Sequence, residues 1–285
     1  MKKVSLDSIV ARTHAITTLP TAYLQLNQVV NNPRSSFADV ARVIRKDVGL
    51  SSRLLKLVNS AFFGFPSKID SISRACVIVG TLQLRSLALA TSVIDAVALR
   101  DETLFSITSF WQHSICCAVA SSALARWLGN TDVERFFVAG VLHDVGRIVL
   151  MNEAPEGSVA AVQEANSTGR LLHEVELDMF GFSHAEVGGA LLRRWNLPAT
   201  LVEPVMSHHR AGGSIAYAQE SACLQVGDMI AHALGLFGGS AEVVVPASAG
   251  CMDVFSGYAE KVDVLLAQTA RQYKEIAFLM LDDAA

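Results

Sequence analysis

The chain has 285 residues, 51% of them hydrophobic and 18% charged, and a formal net charge of −4. Such a balance excludes a disordered chain and leaves room for one large domain or two smaller lobes, while the weakly acidic charge gives no footprint for a nucleic acid polymer or an anionic membrane surface. Five cysteines, Cys76, Cys116, Cys117, Cys223 and Cys251, contain no CxxC spacing and no even disulfide framework, which points to a reducing, cytoplasmic setting.

In chain order, MKKVSLDSIV lacks the apolar stretch of a secretory signal. Residues 35–47 predict a helix, with Ser36 and Asp39 at capping-box spacing and Phe37, Val40, Ala41 and Ile44 on one face. Residues 50–64 repeat the pattern through Leu50, Leu54, Leu57 and Val58, stopping near Gly64 and Pro66. Helices over 70–80 and 81–100 follow, divided at Gly80. The stretch 84–100 is the most apolar, but it carries Asp95 and is shorter than the roughly 20 residues of a membrane span. A polar change at DETLFS, 101–106, marks a boundary between an N-terminal lobe, 1–104, and a second lobe, 105–285. The second lobe opens with a long helix over 110–129. The one β-like run, AEVVVPAS at 241–248, is isolated and interrupted by Pro246, so no sheet is expected. The amphipathic stretch 262–281 predicts a last helix, which packs on its own lobe or supports a homodimer. The reading is all-α, in two helical lobes.

Polar residues interrupt the apolar faces of the second lobe. GVLHDVGRIVLM, 140–151, reads as a buried helix with His143 and Asp144 in its middle, where an unpaired carboxylate costs several kcal/mol. A salt bridge from Asp144 to Arg147 is the plain explanation, and it leaves His143 unexplained. His113 shares a face with Cys116, Cys117, Ala120, Leu124 and Trp127. Ser183 and Glu186 form a second capping box, with Phe182 and Val187 as its staple, which sets His184 at the first helical position. His208 and His209 are adjacent, and Asp228 lies on an apolar face with His232 four residues on. Singly, each has a bland explanation. Together, five histidines and two aspartates are hard to satisfy apart from one another, and neutral imidazoles with carboxylates suit iron, manganese, zinc or magnesium, as one ion or two.

The order His113, His143–Asp144, Asp228 resembles the H…HD…D signature of the HD superfamily of metal-dependent phosphohydrolases. His184 and the His208–His209 pair resemble the fuller ligand set of its HD-GYP branch, although RAGGSIAYAQ after the pair lacks the acidic residue and the Gly-Tyr-Pro of that branch. The chain is most similar to the HDOD domain, the HD-related output domain of bacterial signalling proteins. Residues 19–64 and 72–89 carry the first half of the likeness, and the FWQHS, VLHDVGR, SHAEVGGALLRRWNLP and SHH stretches carry the second, over about 15–235.

The resemblance implies a second lobe built as an HD-type bundle, with His113, His143, Asp144, His184, His208, His209 and Asp228 as metal ligands. It implies a signalling output role with a protein partner or a nucleotide as ligand. The alternative is an active phosphohydrolase or phosphodiesterase in which Asp144 takes part in the chemistry and Arg147 steadies negative charge on phosphorus. Arg193, Arg194 and Arg210 are further candidates for a phosphate clamp, each equally readable as a solvated helix-end charge.

Overall fold

Helices supply the regular structure in the computed structural model, which describes residues 5–12, 19–102, 106–210, 215–239 and 246–281; no strand occurs among them. The β-like run at 241–248 lies outside the described residues up to Val245. No helix among the described residues is long and apolar enough to cross a membrane.

The helices gather into two units, each drawn from separate parts of the chain. One takes residues 19–97 and 271–285; the other takes 1–18 and 98–270. Each unit thus recruits chain from beyond the polar stretch at 101–106. The first helix, α1 (Leu6–Arg12), packs against helices of the larger unit, and the last helix, α16 (Val262–Leu281), contains the crossover at 270–271.

The smaller unit holds α2 (Thr21–Asn31), α3 (Phe37–Arg45), α4 (Val48–Val58), α5 (Ile72–Ile78) and α6 (Thr81–Ala96). Ser36 caps α3 by accepting from the Asp39 N–H while the Asp39 carboxylate accepts from the Ser36 N–H, which satisfies two end donors at once. Leu50, Leu54, Leu57 and Val58 of α4 are all buried, and α2, α3 and α6 add Leu26, Ile44, Leu84 and Leu87 to the same kind of core. Arg53, partly buried, pairs with the exposed Asp95. Gly80 closes α5 and leads into α6 at φ 97°, a conformation that side chains disfavour.

In the larger unit, α7 (Ile107–Trp127) is the axis, and nearly every residue from Phe110 to Ala125 is buried. It lies between α8 (Glu134–Leu142) and α14 (Ala218–Ala233). Around them run α9 (Val145–Glu153), α10 (Pro155–Thr168), α11 (Leu172–Phe180), α12 (His184–Arg194), α13 (Ala199–Ser207) and α15 (Ala249–Val254). The α8–α7 contact is backbone-close at Gly140, where an added Cβ would sit 2.4 Å from Ala118 Cα.

One sequence expectation is corrected here. Residues 140–151 are not a single helix: α8 ends at Leu142 and α9 begins at Val145, with Asp144 at φ −100°, ψ 5° between them. The break turns α9 onto α12 so closely that a Cβ on Gly146 would lie 2.0 Å from the His184 carbonyl oxygen. His143 and Asp144 therefore occupy a corner, from which neighbouring side chains can aim at one point.

Candidate metal centre

The seven proposed ligands come from five places in the helix order. His113 comes from the buried middle of α7, His143 and Asp144 from the α8–α9 corner, and His184 from the first position of α12. Ser183 caps that helix through the expected box with Glu186, which fixes the His184 backbone. His208 and His209 follow the end of α13, and Asp228 projects from α14. All seven converge in the larger unit. His113, His143 and His208 are completely buried, His184, Asp144 and Asp228 nearly so, and His209 is half-buried.

The side chains form two adjoining groups. In one, Asp144, His184, His208 and His209 offer donor atoms within 4.8 Å of one another; in the other, His113, His143 and Asp228 do the same. Asp144 lies between them. Its Oδ1 is 3.3 Å from His184 Nε2 and 3.6 Å from both His208 Nε2 and His143 Nε2, while its Oδ2 is 3.7 Å from His113 Nε2. Asp228 Oδ1 is 3.2 Å from His113 Nε2.

The orientation of the rings is more telling than their proximity. His113 Nδ1 lies 2.7 Å from the Leu236 carbonyl, His143 Nδ1 2.8 Å from that of Gly140, and His208 Nδ1 2.6 Å from that of Val205. His184 Nδ1 lies 2.6 Å from Glu176 Oε2. A carbonyl or a carboxylate accepts, so each of those Nδ1 atoms is the donor, and a ring in its neutral form then has its Nε2 lone pair free. The His113 and His143 lone pairs face one another, their Nε2 atoms 3.3 Å apart, and His184 Nε2 lies 2.7 Å from His209 Nε2. His208 Nε2 is buried and makes no hydrogen bond. Bare acceptors facing acceptors are costly in a dry core. Inward Nε2 lone pairs, outward Nδ1–H groups and two interleaved carboxylates are the donor arrangement a divalent cation takes. The residues present fit such a group.

Charge acts in the same sense. Burial pushes the Asp144 carboxyl up, yet His143 and Arg147 overcome it and hold the group well below the usual range. Asp228 is treated alike, with His232 opposing its burial. Burial drives His143 down to about 4, with the charges of His208 and His113 adding to it, and lowers His209 well below its ordinary value. His184 is the exception. Burial pulls it down, but Glu176 and Asp144 on either side push it up to about 10, so a proton occupies the position when no cation does.

Arg147 does not reach outward. Its guanidinium is buried and donates to Asp144 Oδ2 at 3.1 Å, the salt bridge expected on plain grounds. Arg193 pairs with Glu203, and Arg194 and Arg210 are exposed.

Three residues join the cluster without having been read as part of a site. Glu176 of α11 holds His184 through both its ring and its backbone N–H. His173, one turn earlier, stacks on His209 with centroids 4.3 Å apart and planes 9° from parallel. His232 lies with Nδ1 3.0 Å from Asp228 Oδ1, as its four-residue spacing suggested, and its ring meets His113 edge-on. The signal in LHEVEL was a histidine and an acid three residues apart on the face that also carries Leu172 and Val175.

Comparison with known proteins now decides the family. Residues 16–211 match the HDOD domain model. The chain belongs to the HDOD family. A Treponema pallidum protein of unknown character is 29% identical over 203 residues, covering 71% of this chain but 39% of that protein, so this HDOD chain spans well under half of its relative. Among solved structures, a Shewanella amazonensis protein named "putative phosphohydrolase" superposes with a TM-score of 0.73 at 24% identity, over 98% of this chain and 99% of that one. A Geobacter sulfurreducens HDOD domain protein of unknown function gives 0.70 at 22%, over 94% and 93%. These two likenesses establish a shared all-α fold.

Proposed function

We propose that this HDOD chain is a bacterial signalling output protein whose HD-type centre holds one or two divalent ions. The observation that carries the reading is the set of inward-facing Nε2 atoms, one of them buried without a hydrogen-bond partner, around two charged carboxylates. The imidazole-rich set favours iron, manganese or zinc over magnesium, which prefers oxygen. Asp144, His184, His208 and His209 would hold one ion, and His113, His143 and Asp228 a second, with Asp144 in reach of both. When bound, a divalent ion in such a site polarises a phosphate oxygen and makes nearby water a better nucleophile.

An output role is supported by how completely the cluster is enclosed. His209 is its half-buried member, and Arg147 is held by Asp144 instead of extending toward a substrate. The second reading, an active phosphohydrolase acting on a nucleotide or other phosphate ester, rests on the position of Asp144 between the two donor groups. There Asp144 and Asp228 keep the pocket anionic, Glu176 orients His184, and His209 stands where a ligand would enter.

The test is metal content per chain, measured on protein purified without chelator or histidine tag, beside a His143→Ala/Asp144→Ala variant. One or two equivalents of iron, manganese or zinc, lost in the variant, are expected. Absence of metal in both after reloading would overturn the proposal. A screen of the loaded protein against bis(p-nitrophenyl) phosphate and cyclic dinucleotides separates the readings: turnover lost in the variant favours the hydrolase, and its absence favours the output role.

A further inference from the structure

The larger unit contains a second cavity that the metal centre does not use. It has a volume of about 350 Å³ and lies between α14, α15 and the first turns of α16, with Leu124 and Trp127 of α7 as its floor. Its lining is almost wholly apolar, including Val226, Met229, Phe255 and Leu265. The volume falls at the lower end of the range of small-molecule sites and well above that of a cavity that takes up benzene.

The rim says what class of occupant fits. The Lys261 ammonium lies 5.3 Å from the Tyr258 ring centroid and 6.0 Å from that of Trp127, and both rings line the cavity. The two rings lie nearly parallel, held by a hydrogen bond that the Tyr258 hydroxyl donates to the Trp127 carbonyl. Lys261 has no ion pair among the described residues. A cation carried on two of the cavity's own aromatic walls complements a molecule with an apolar body and an anionic head. From this geometry we propose that the cavity binds a medium-length alkyl or aryl carboxylate, its carboxylate at Lys261 and its body against Trp127, Met229 and Phe255.

The site is also placed to matter. Val226, Met229, Ile230 and Ala233 line it from α14, and the helical period sets Asp228 on the opposite face of that same helix. The proposal does not depend on metal being bound.

The experiment uses the full chain and decanoate, with Trp fluorescence and isothermal calorimetry as readouts. Saturable one-to-one binding is expected, tightening about fourfold per added methylene from hexanoate to decanoate. Decanol should bind at least tenfold more weakly, and decylammonium more weakly still. Lys261→Glu, an exposed change that leaves the core intact, should invert the preference between decanoate and decylammonium. Val226→Phe should fill the hollow and abolish binding, with the melting temperature checked to confirm folding. Equal binding of decanol and decanoate, indifference to both variants, or no saturable binding would overturn the proposal. So would a concentration-dependent dimer that Val226→Phe dissolves, since the cavity would then belong to a second copy of the chain.

Discussion

His184 Nδ1 and Glu176 Oε2 lie 2.6 Å apart, and the same carboxylate oxygen accepts the His184 backbone N–H at 2.8 Å. One acid on α11 therefore fixes both the backbone and the ring of the first residue of α12. A carboxylate behind a ligating histidine fixes its tautomer and raises its basicity, and loss of such a partner costs metal affinity by about 10–100-fold. Glu176→Gln, which keeps a hydrogen-bond acceptor but not the charge, is expected to weaken metal binding within that range in a chelator-competition titration. The far-UV circular dichroism should not change. Unaltered affinity would remove Glu176 from the site.

Metal removal should be visible as a loss of stability, because an ion bound only by the folded state adds to the free energy of unfolding. At a free ion concentration 100 times its Kd the gain is about 2.7 kcal/mol, or roughly 5–10 °C in melting temperature for a unit of this size. Exhaustive chelation of the loaded protein should lower the transition by that amount. The His143→Ala/Asp144→Ala variant should show no response to chelator.

The α9–α12 contact makes a packing prediction. A methyl group at Gly146 would lie 2.0 Å from the His184 carbonyl oxygen and 2.5 Å from the Gly188 nitrogen, backbone atoms that no rotamer change can move aside. Gly146→Ala should cost about 1–3 kcal/mol, read as a lower urea midpoint. Because the clash parts the corner that carries Asp144 from the helix that carries His184, metal content should fall with it. Wild-type stability in this variant would mean that the helices are further apart than described.

The cysteines set the alkaline limit. Burial raises all five thiols above their ordinary value, Cys116 to about 12 and Cys251 to about 11. Above pH 9 the unfolded chain loses thiol protons while the folded chain keeps them, so stability should fall as pH rises from about 9 toward 12. Below pH 8 these thiols contribute no pH dependence. Melting curves across pH 8–11 test the sign, and the native thiols should resist iodoacetamide at pH 8 while the urea-unfolded ones react.

Much of this was legible from local rules. The capping boxes at Ser36–Asp39 and Ser183–Glu186 form as their spacing dictates, and the amphipathic stretch 262–281 is a helix over those residues. His113, His143, Asp144 and Asp228 stood out as polar residues on apolar faces, while their grouping with His184, His208 and His209 was implied by the family resemblance. The break at His143–Asp144 was not, since apolar periodicity runs through it and only the contact of Gly146 with α12 demands a corner. Glu176 and His173 were missed because their partners, His184 and His209, lie 8 and 36 residues on in sequence, beyond the reach of any helical period. The way chain ends cross between the units was hidden for the same reason: long-range packing leaves no local trace.

His113 Nδ1 is bonded to the carbonyl of Leu236, 123 residues further along the chain. During synthesis that separation is a delay: at about 5–20 residues per second, roughly 6–25 s pass between the emergence of one partner and the other. For most of that interval α14 is still unmade, and α7 has no Asp228 side chain to meet. The proposed ion site is thus completed late, and if it takes up metal, that uptake in a translation reaction would act as a clock for the last helices of the unit.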